Sequence, residues 1–175
     1  GAIGDSMKAD KSVVFWAAGD VFGDKAKNTV NAYSQSHKDQ VDVGDRIFGG
    51  LDAFEKVLNS GVDLVILATP PGFRPYHVEA AIKANKHVFC EKSLVFKPEE
   101  VHELRKMVHE RPKQVMQVGL QRRYSQFYQT AKQMVDQGLL GAATNVYAHW
   151  PRNPPAPPAP PWVGQHNDPP GHHAH

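Results

Sequence analysis

The stretch Gly61–Ser93, GVDLVILATPPGFRPYHVEAAIKANKHVFCEKS, holds a complete structural unit. It opens on Leu64-Val65-Ile66-Leu67-Ala68, an apolar run too short for a helix of its own and rich in β-branched residues. Such a run reads as a strand buried on both faces, as in a parallel sheet. Thr69-Pro70-Pro71-Gly72 stops it, because proline has no N–H to give to a ladder. Tyr76, Val78, Ala80, Ala81 and Ile82 then recur at helical spacing, Asn85-Lys86 closes that helix, and His87-Val88-Phe89-Cys90 is a second short strand. Strand, helix, strand predicts a βαβ unit with a right-handed crossover. Thr69, Arg74 and His77 collect past the end of the first strand, and Glu91, Lys92 and Ser93 past the end of the second. Those carboxyl ends are where open α/β sheets bind ligands.

Working outward, Gly1–Asp10 reads as the close of a glycine-rich turn and the helix it opens, and Val13–Ala18 as a buried strand ending at Gly19-Asp20. A polar helix follows from Asp24 to about Ser36, then a short strand at Arg46-Ile47-Phe48 and a helix carrying Leu51, Phe54, Val57 and Leu58. Beyond the central unit, Pro98 starts a helix at a position where a missing N–H costs nothing, and Arg111-Pro112 breaks it. Val115–Val118 is a strand ending in Gly119; Ser125 caps a helix closed near Gly138; Ala142–Trp150 alternates as a strand with one wet face. At Pro151 the composition turns proline-rich, without periodicity, and ends in a histidine cluster. Extended or irregular backbone is the expectation there.

The alternation of helix and strand calls for a doubly wound parallel sheet. The 175 residues carry a formal net charge of +2 with no basic stripe, so nucleic acid is not an expected partner. No apolar run approaches membrane-spanning length, so no membrane association is expected. No signal peptide is visible, but the chain opens without a methionine, so that absence says little; the compartment stays open, with the cytoplasm favoured. The single cysteine, Cys90, excludes an internal disulfide and reads as a small core residue. His166, His172, His173 and His175 lie in a proline-broken tail, a poor preorganised site, and no metal is assigned.

The segment VDLVILATPPGFRPYHVEAAIKANKHVFCEKS, followed by VGLQRRYSQFYQTAKQMVDQGLLGAATNVYAHW, resembles the glucose–fructose oxidoreductase/inositol dehydrogenase (Gfo/Idh/MocA-type) family. The likeness runs from about Gly1 to Trp150 and rests on the Thr-Pro turn with its histidine, the Lys-His-Val-x-x-Glu-Lys strand end and the Gly-x-Gln-Arg-Arg-Tyr segment. It implies a Rossmann-type dinucleotide-binding domain over residues 1–124, the crossover helix and first strand of a second α/β domain over 125–150, and an irregular tail over 151–175. It also implies an NAD-dependent oxidoreductase, with NADP disfavoured, acting on a sugar, polyol or related hydroxy compound, in a parent that is a homo-oligomer.

By that resemblance Asp20 would accept hydrogen bonds from the adenosine ribose and repel a 2′-phosphate; a helix-capping aspartate is the plainer reading. Thr69, Pro70 and Pro71 would line the cofactor groove with His77 close by, where an ordinary helix-end histidine is the alternative. Glu91 would face the nicotinamide ribose. Lys92 would lie between nicotinamide and substrate as the catalytic acid/base, since oxidising an alcohol releases a proton that needs an acceptor within reach. A plain surface lysine is the competing reading. Gln121 and Arg122 would close the same cleft, and Arg123 and Tyr124 would support the start of the crossover helix.

Three departures accompany the likeness. The family's first strand and its G-x-G-x-x-G turn have no counterpart, which is expected to leave a slot in the sheet and to remove the N–H groups that hold a pyrophosphate. Ser93 stands where the family has a proline, which would leave Lys92 less rigidly aimed. Nothing past Trp150 resembles the second domain. A catalytically silent scaffold, with PPAPPAPP as a ligand for an aromatic groove, is the alternative function.

Overall fold

The computed structural model describes residues 1–95, 97–149 and 151. Trp150 and the tail from 152 onward, with its proline run and histidines, lie outside the described residues. Two compact units are present, Gly1–Ser125 and Gln126–His175.

The first unit runs α1 (Ala2–Ala9), β1 (Ala18–Asp20), α2 (Gly23–Ser36), β2 (Ile47–Gly49), α3 (Ala53–Leu58), β3 (Leu64–Leu67), α4 (Arg74–Lys83), β4 (His87–Glu91), α5 (Pro98–His109) and β5 (Met116–Gly119). All ladders are parallel. β1 pairs with β2, aligning Asp20 with Gly49, and β3, β4 and β5 lie side by side with Leu67 opposite Cys90 and Glu91 opposite Gly119. Helical crossovers on parallel strands make this the Rossmann-type α/β arrangement that the sequence calls for. Among the described residues no ladder joins β1 to β3, the place where the sequence leaves the slot.

Burial follows the apolar periodicities. Val78, Ala81 and Ile82 of α4, Leu104 of α5 and Leu58 of α3 close over Val65, Leu67, Val88 and Cys90 of β3 and β4. A second cluster gathers Met7, Phe15, Ala18, Ala26, Val30 and Val43 around β1. Trp16 ties the two together: its indole packs on the first cluster and donates to Ser60 O at 2.7 Å. The Arg46 guanidinium lies 3.6 Å above the ring and returns a bond from Nε to Trp16 O. Cys90 is fully buried, and burial pushes its thiol up, as suits an unreactive core residue.

The strand expected over Val13–Ala18 is shorter than its apolar run. Only Phe15 bridges Val41 before the ladder begins at Ala18. Ala18 lies three positions beyond Phe15 but Ile47 six beyond Val41, so the partner segment turns out between them and Trp16 O goes to Arg46 Nε, while upstream the buried Gln40 amide takes Val13 O. Side chains thus take carbonyls that a neighbouring strand would otherwise use.

In the second unit α6 (Gln126–Asp136) has an apolar stripe of Phe127, Ala131 and Met134, none of it buried. The strand expected over 142–150 does not form in the described residues 142–149. Alternation prepares a segment for a ladder, but a ladder also needs a partner strand to satisfy its N–H and C=O groups. No helix among the described residues is long and apolar enough to cross a membrane.

Candidate functional site

The site is built where β3 and β4 end. After Leu67 the chain passes Thr69 and enters the polyproline geometry of Pro70, with φ −53° and ψ 146°. Pro71 opens a 3-10 turn, Pro71–Phe73, that feeds directly into α4. Proline suits such a start because its φ is preset and its missing N–H would be unpaired anyway.

His77, one turn into α4, is carried back over this exit. Thr69 Oγ1 lies 3.3 Å from His77 Nδ1, so the hydroxyl can donate to a neutral imidazole. The ring stacks on Phe54 of α3 with centroids 4.4 Å apart and on Phe73 at 6.0 Å, and the residue is only 8 % exposed. Burial holds the ring below the ordinary histidine range.

That depression has a consequence for stability. The unfolded chain takes up a proton near pH 6.5, the folded one only at lower pH. Above that point neither state is charged and stability is undiminished. Below it only the unfolded state gains, so stability falls, by at most about 1.4 kcal/mol per pH unit for one proton, until the folded ring protonates too. His77→Gln is expected to flatten the decline in urea unfolding curves taken from pH ~6.5 downward; an unchanged slope would assign it to other groups.

Glu91 is the last residue of β4, paired with Gly119 of β5. A Cβ on Gly119 would stand 2.9 Å from Phe89 Cζ and 3.4 Å from Glu91 Oε2, so the absence of a side chain there leaves room for both. Lys92 follows, exposed, its ammonium without a hydrogen bond or ion pair among the described residues. The Lys92–Ser93 peptide is cis.

Arg74 is 95 % removed from solvent at 5 % exposure and joins the two strand exits. Its Nε donates to Thr69 O at 2.7 Å, and its Nη1 donates to Glu91 O at 2.9 Å and Ser93 O at 2.6 Å. The sequence places Arg74 among the polar residues past β3 but assigns it no role. Its position in the first turn of a helix does not announce burial.

Asp20 ends β1, half-buried, with Oδ1 accepting the Phe22 N–H at 2.9 Å. It is linked to the β3 exit through α3. A Cβ on neighbouring Gly19 would come within 2.9 Å of Val57 Cγ2 and 3.2 Å of Ala53 O, so β1 and α3 meet as closely as a glycine permits. Phe54, between those residues, stacks on His77. A single turn of α3 therefore touches both strand ends, a link through Phe54 and Gly19 that sequence patterning did not single out. Gln121 and Arg122 are exposed in the turn after β5, where Arg122 takes the left-handed φ of 68°. The structure thus puts Thr69 and His77 together at the β3 exit, beside Pro70 and Pro71, with Glu91 and Lys92 at the end of the neighbouring β4 and Asp20 on a separate ladder that reaches this exit through α3. Among the described residues no cluster of three or more His, Cys, Asp or Glu could hold a metal ion.

This arrangement has relatives. Residues 16–120 match the model of an oxidoreductase family with an NAD-binding Rossmann fold. An inositol 2-dehydrogenase of Rhodococcus erythropolis is 33 % identical over 132 residues, covering 73 % of this chain and 37 % of the relative. An inositol 2-dehydrogenase 3 of Saccharopolyspora erythraea is 38 % identical over 91 residues, 52 % of this chain and 26 % of the relative. In structure, the chain is similar to scyllo-inositol dehydrogenase from Lactobacillus casei with bound NAD(H) and scyllo-inositol: TM-score 0.60, 25 % identity, 81 % of this chain and 39 % of that one. The chain thus spans between 26 % and 39 % of the length of these relatives. With the family model covering its parallel sheet and both strand exits, the chain belongs to the Gfo/Idh/MocA oxidoreductase family, through its NAD-binding Rossmann fold.

Proposed function

We propose that the chain is the NAD-binding part of an oxidoreductase that moves a hydride between the nicotinamide and a hydroxyl-bearing carbon of a polyol or sugar. The observation that carries this reading is the placement of Thr69, His77, Glu91 and Lys92 at the carboxyl ends of adjacent parallel strands. The fold resembles one that, in the Lactobacillus casei enzyme, is seen with NAD(H) and scyllo-inositol.

The donor set suits a dinucleotide. Asp20 has a carboxylate oxygen beyond the one bonded to Phe22 N, available to ribose hydroxyls. A fixed negative charge at that strand end favours NAD over a 2′-phosphorylated cofactor. Glu91, with the side-chain-free Gly119 beside it, offers a second carboxylate to the nicotinamide ribose. Pro70 and Pro71 make a rigid wall, His77 backs Thr69 from within, and Gln121 and Arg122 close the cleft from the β5 side. Bound NAD would supply the hydride acceptor; Lys92 Nζ, in its neutral amine form, would take the hydroxyl proton in oxidation and, as the ammonium so formed, return it in the reverse direction. Assembly of the complete protein as a homo-oligomer and a cytoplasmic location belong to the same proposal, on the family resemblance.

Calorimetric titration of the complete natural polypeptide that carries these residues tests the reading. Saturable binding of NAD(H), weaker for NADP(H), is expected. A folded protein that binds neither would point to the scaffold role instead.

A further inference from the structure

We propose that Arg74 is a positioning residue, one whose guanidinium sets the place of Lys92 by holding the backbone on both sides of it. The inference rests on the reading of Lys92 as the acid/base.

A guanidinium at 5 % exposure is costly to bury. Among the described residues Arg74 has no carboxylate in ion-pair range, so backbone carbonyl dipoles answer its charge. A hydrophobic side chain would fill the same space without that cost. What it could not supply is several N–H groups fixed in one plane, aimed in different directions. Here those directions matter. Nε takes the carbonyl of Thr69 at the β3 exit, and Nη1 takes the carbonyls of Glu91 and Ser93, the residues immediately before and after Lys92. The lysine side chain has no partner of its own among the described residues. Its aim is therefore inherited from its backbone, and the flanking carbonyls of that backbone are held by one planar group. The same group ties the segment to Thr69, so the proposed cofactor wall and the proposed acid/base keep a fixed separation. Misplacing a reacting group by about 1 Å can cost as much as a hundredfold in rate.

The test compares Arg74→Met and Arg74→Lys with the natural sequence in the complete polypeptide, rates being expressed per folded molecule. Arg74→Met is expected to lower kcat by about ten- to a hundredfold with little change in KM for NAD. Amide exchange over residues 91–95 should quicken while the β3–β4 ladder stays protected. Arg74→Lys keeps the charge and three N–H donors but not the plane, so partial recovery of both readouts is expected. If Arg74→Met does not fold, the Lys variant decides alone: natural kcat and natural exchange over 91–95 would overturn the proposal. So would an Arg74→Met protein whose kcat per folded molecule and exchange are unchanged. Lys92→Ala run in parallel separates the two ideas. Full turnover without Lys92 removes the acid/base reading, whereas lost turnover there with no effect at Arg74 removes only the positioning role.

Discussion

Replacing Lys92 by alanine is expected to lower kcat of the complete polypeptide by about 10²- to 10⁴-fold, the contribution typical of a positioned acid/base. NAD binding should change little, because the ribose contacts assigned to Asp20 and Glu91 remain. Lys92 follows the last residue of β4, which pairs with the strand leading to Thr69, and its ammonium is not committed to any partner among the described residues. The charge of Lys92 and its proton transfer can be separated by Lys92→Arg. Arginine keeps the positive charge but does not release a proton at working pH. If proton transfer is the role, the Arg variant stays as slow as the Ala variant when reduced nicotinamide is followed by absorbance. If the arginine restores most of the rate, Lys92 acts by charge alone. A Lys92→Ala protein with natural kcat would exclude both.

The βαβ core was legible because its signals are local. A five-residue apolar run, two prolines and a helical spacing of alanines leave few alternatives for residues 64–90, and Asn85 takes the left-handed φ of 57° where the sequence ends that helix. The strand-end positions of Thr69, Arg74, His77, Glu91 and Lys92 were legible for the same reason, since the topology of a parallel sheet fixes which end each strand presents. What escaped is long-range. The shortening of β1 depends on the partner segment turning out between Val41 and Ile47 and on Arg46 reaching back 30 residues to Trp16 O, and no property of either residue alone reports it. The alternation over 142–150 is a genuine strand pattern, yet whether a ladder forms is decided by a neighbour. Arg74 looks like a solvated charge in the first turn of a helix. Only the return of the chain at Glu91 and Ser93, 17 and 19 residues later, buries it. The same contact revises the expectation for Ser93: without a proline ring, that turn is restrained through its carbonyl.

Asp20 shows how a structural and a functional role can occupy one carboxylate, and how they can be pulled apart. One oxygen accepts the Phe22 N–H, which accounts for an aspartate at the end of β1 with no cofactor at all. The second role needs the negative charge. Asp20→Asn keeps an oxygen for Phe22 and removes only the charge, so the local turn should survive with a stability change under about 1 kcal/mol. Hydrogen bonds to a charged acceptor are worth about 1.5–3 kcal/mol, so losing the carboxylate should weaken NAD binding by about ten- to a hundredfold. Binding of NADP should fall less or improve, because repulsion of its 2′-phosphate goes with the same charge. The ratio of the two dissociation constants, measured by titration on natural and Asn variants, is the diagnostic quantity. A capping residue alone would change stability when replaced by alanine and leave that ratio where it was; a ribose ligand would shift the ratio in the asparagine variant while the melting curve stays put.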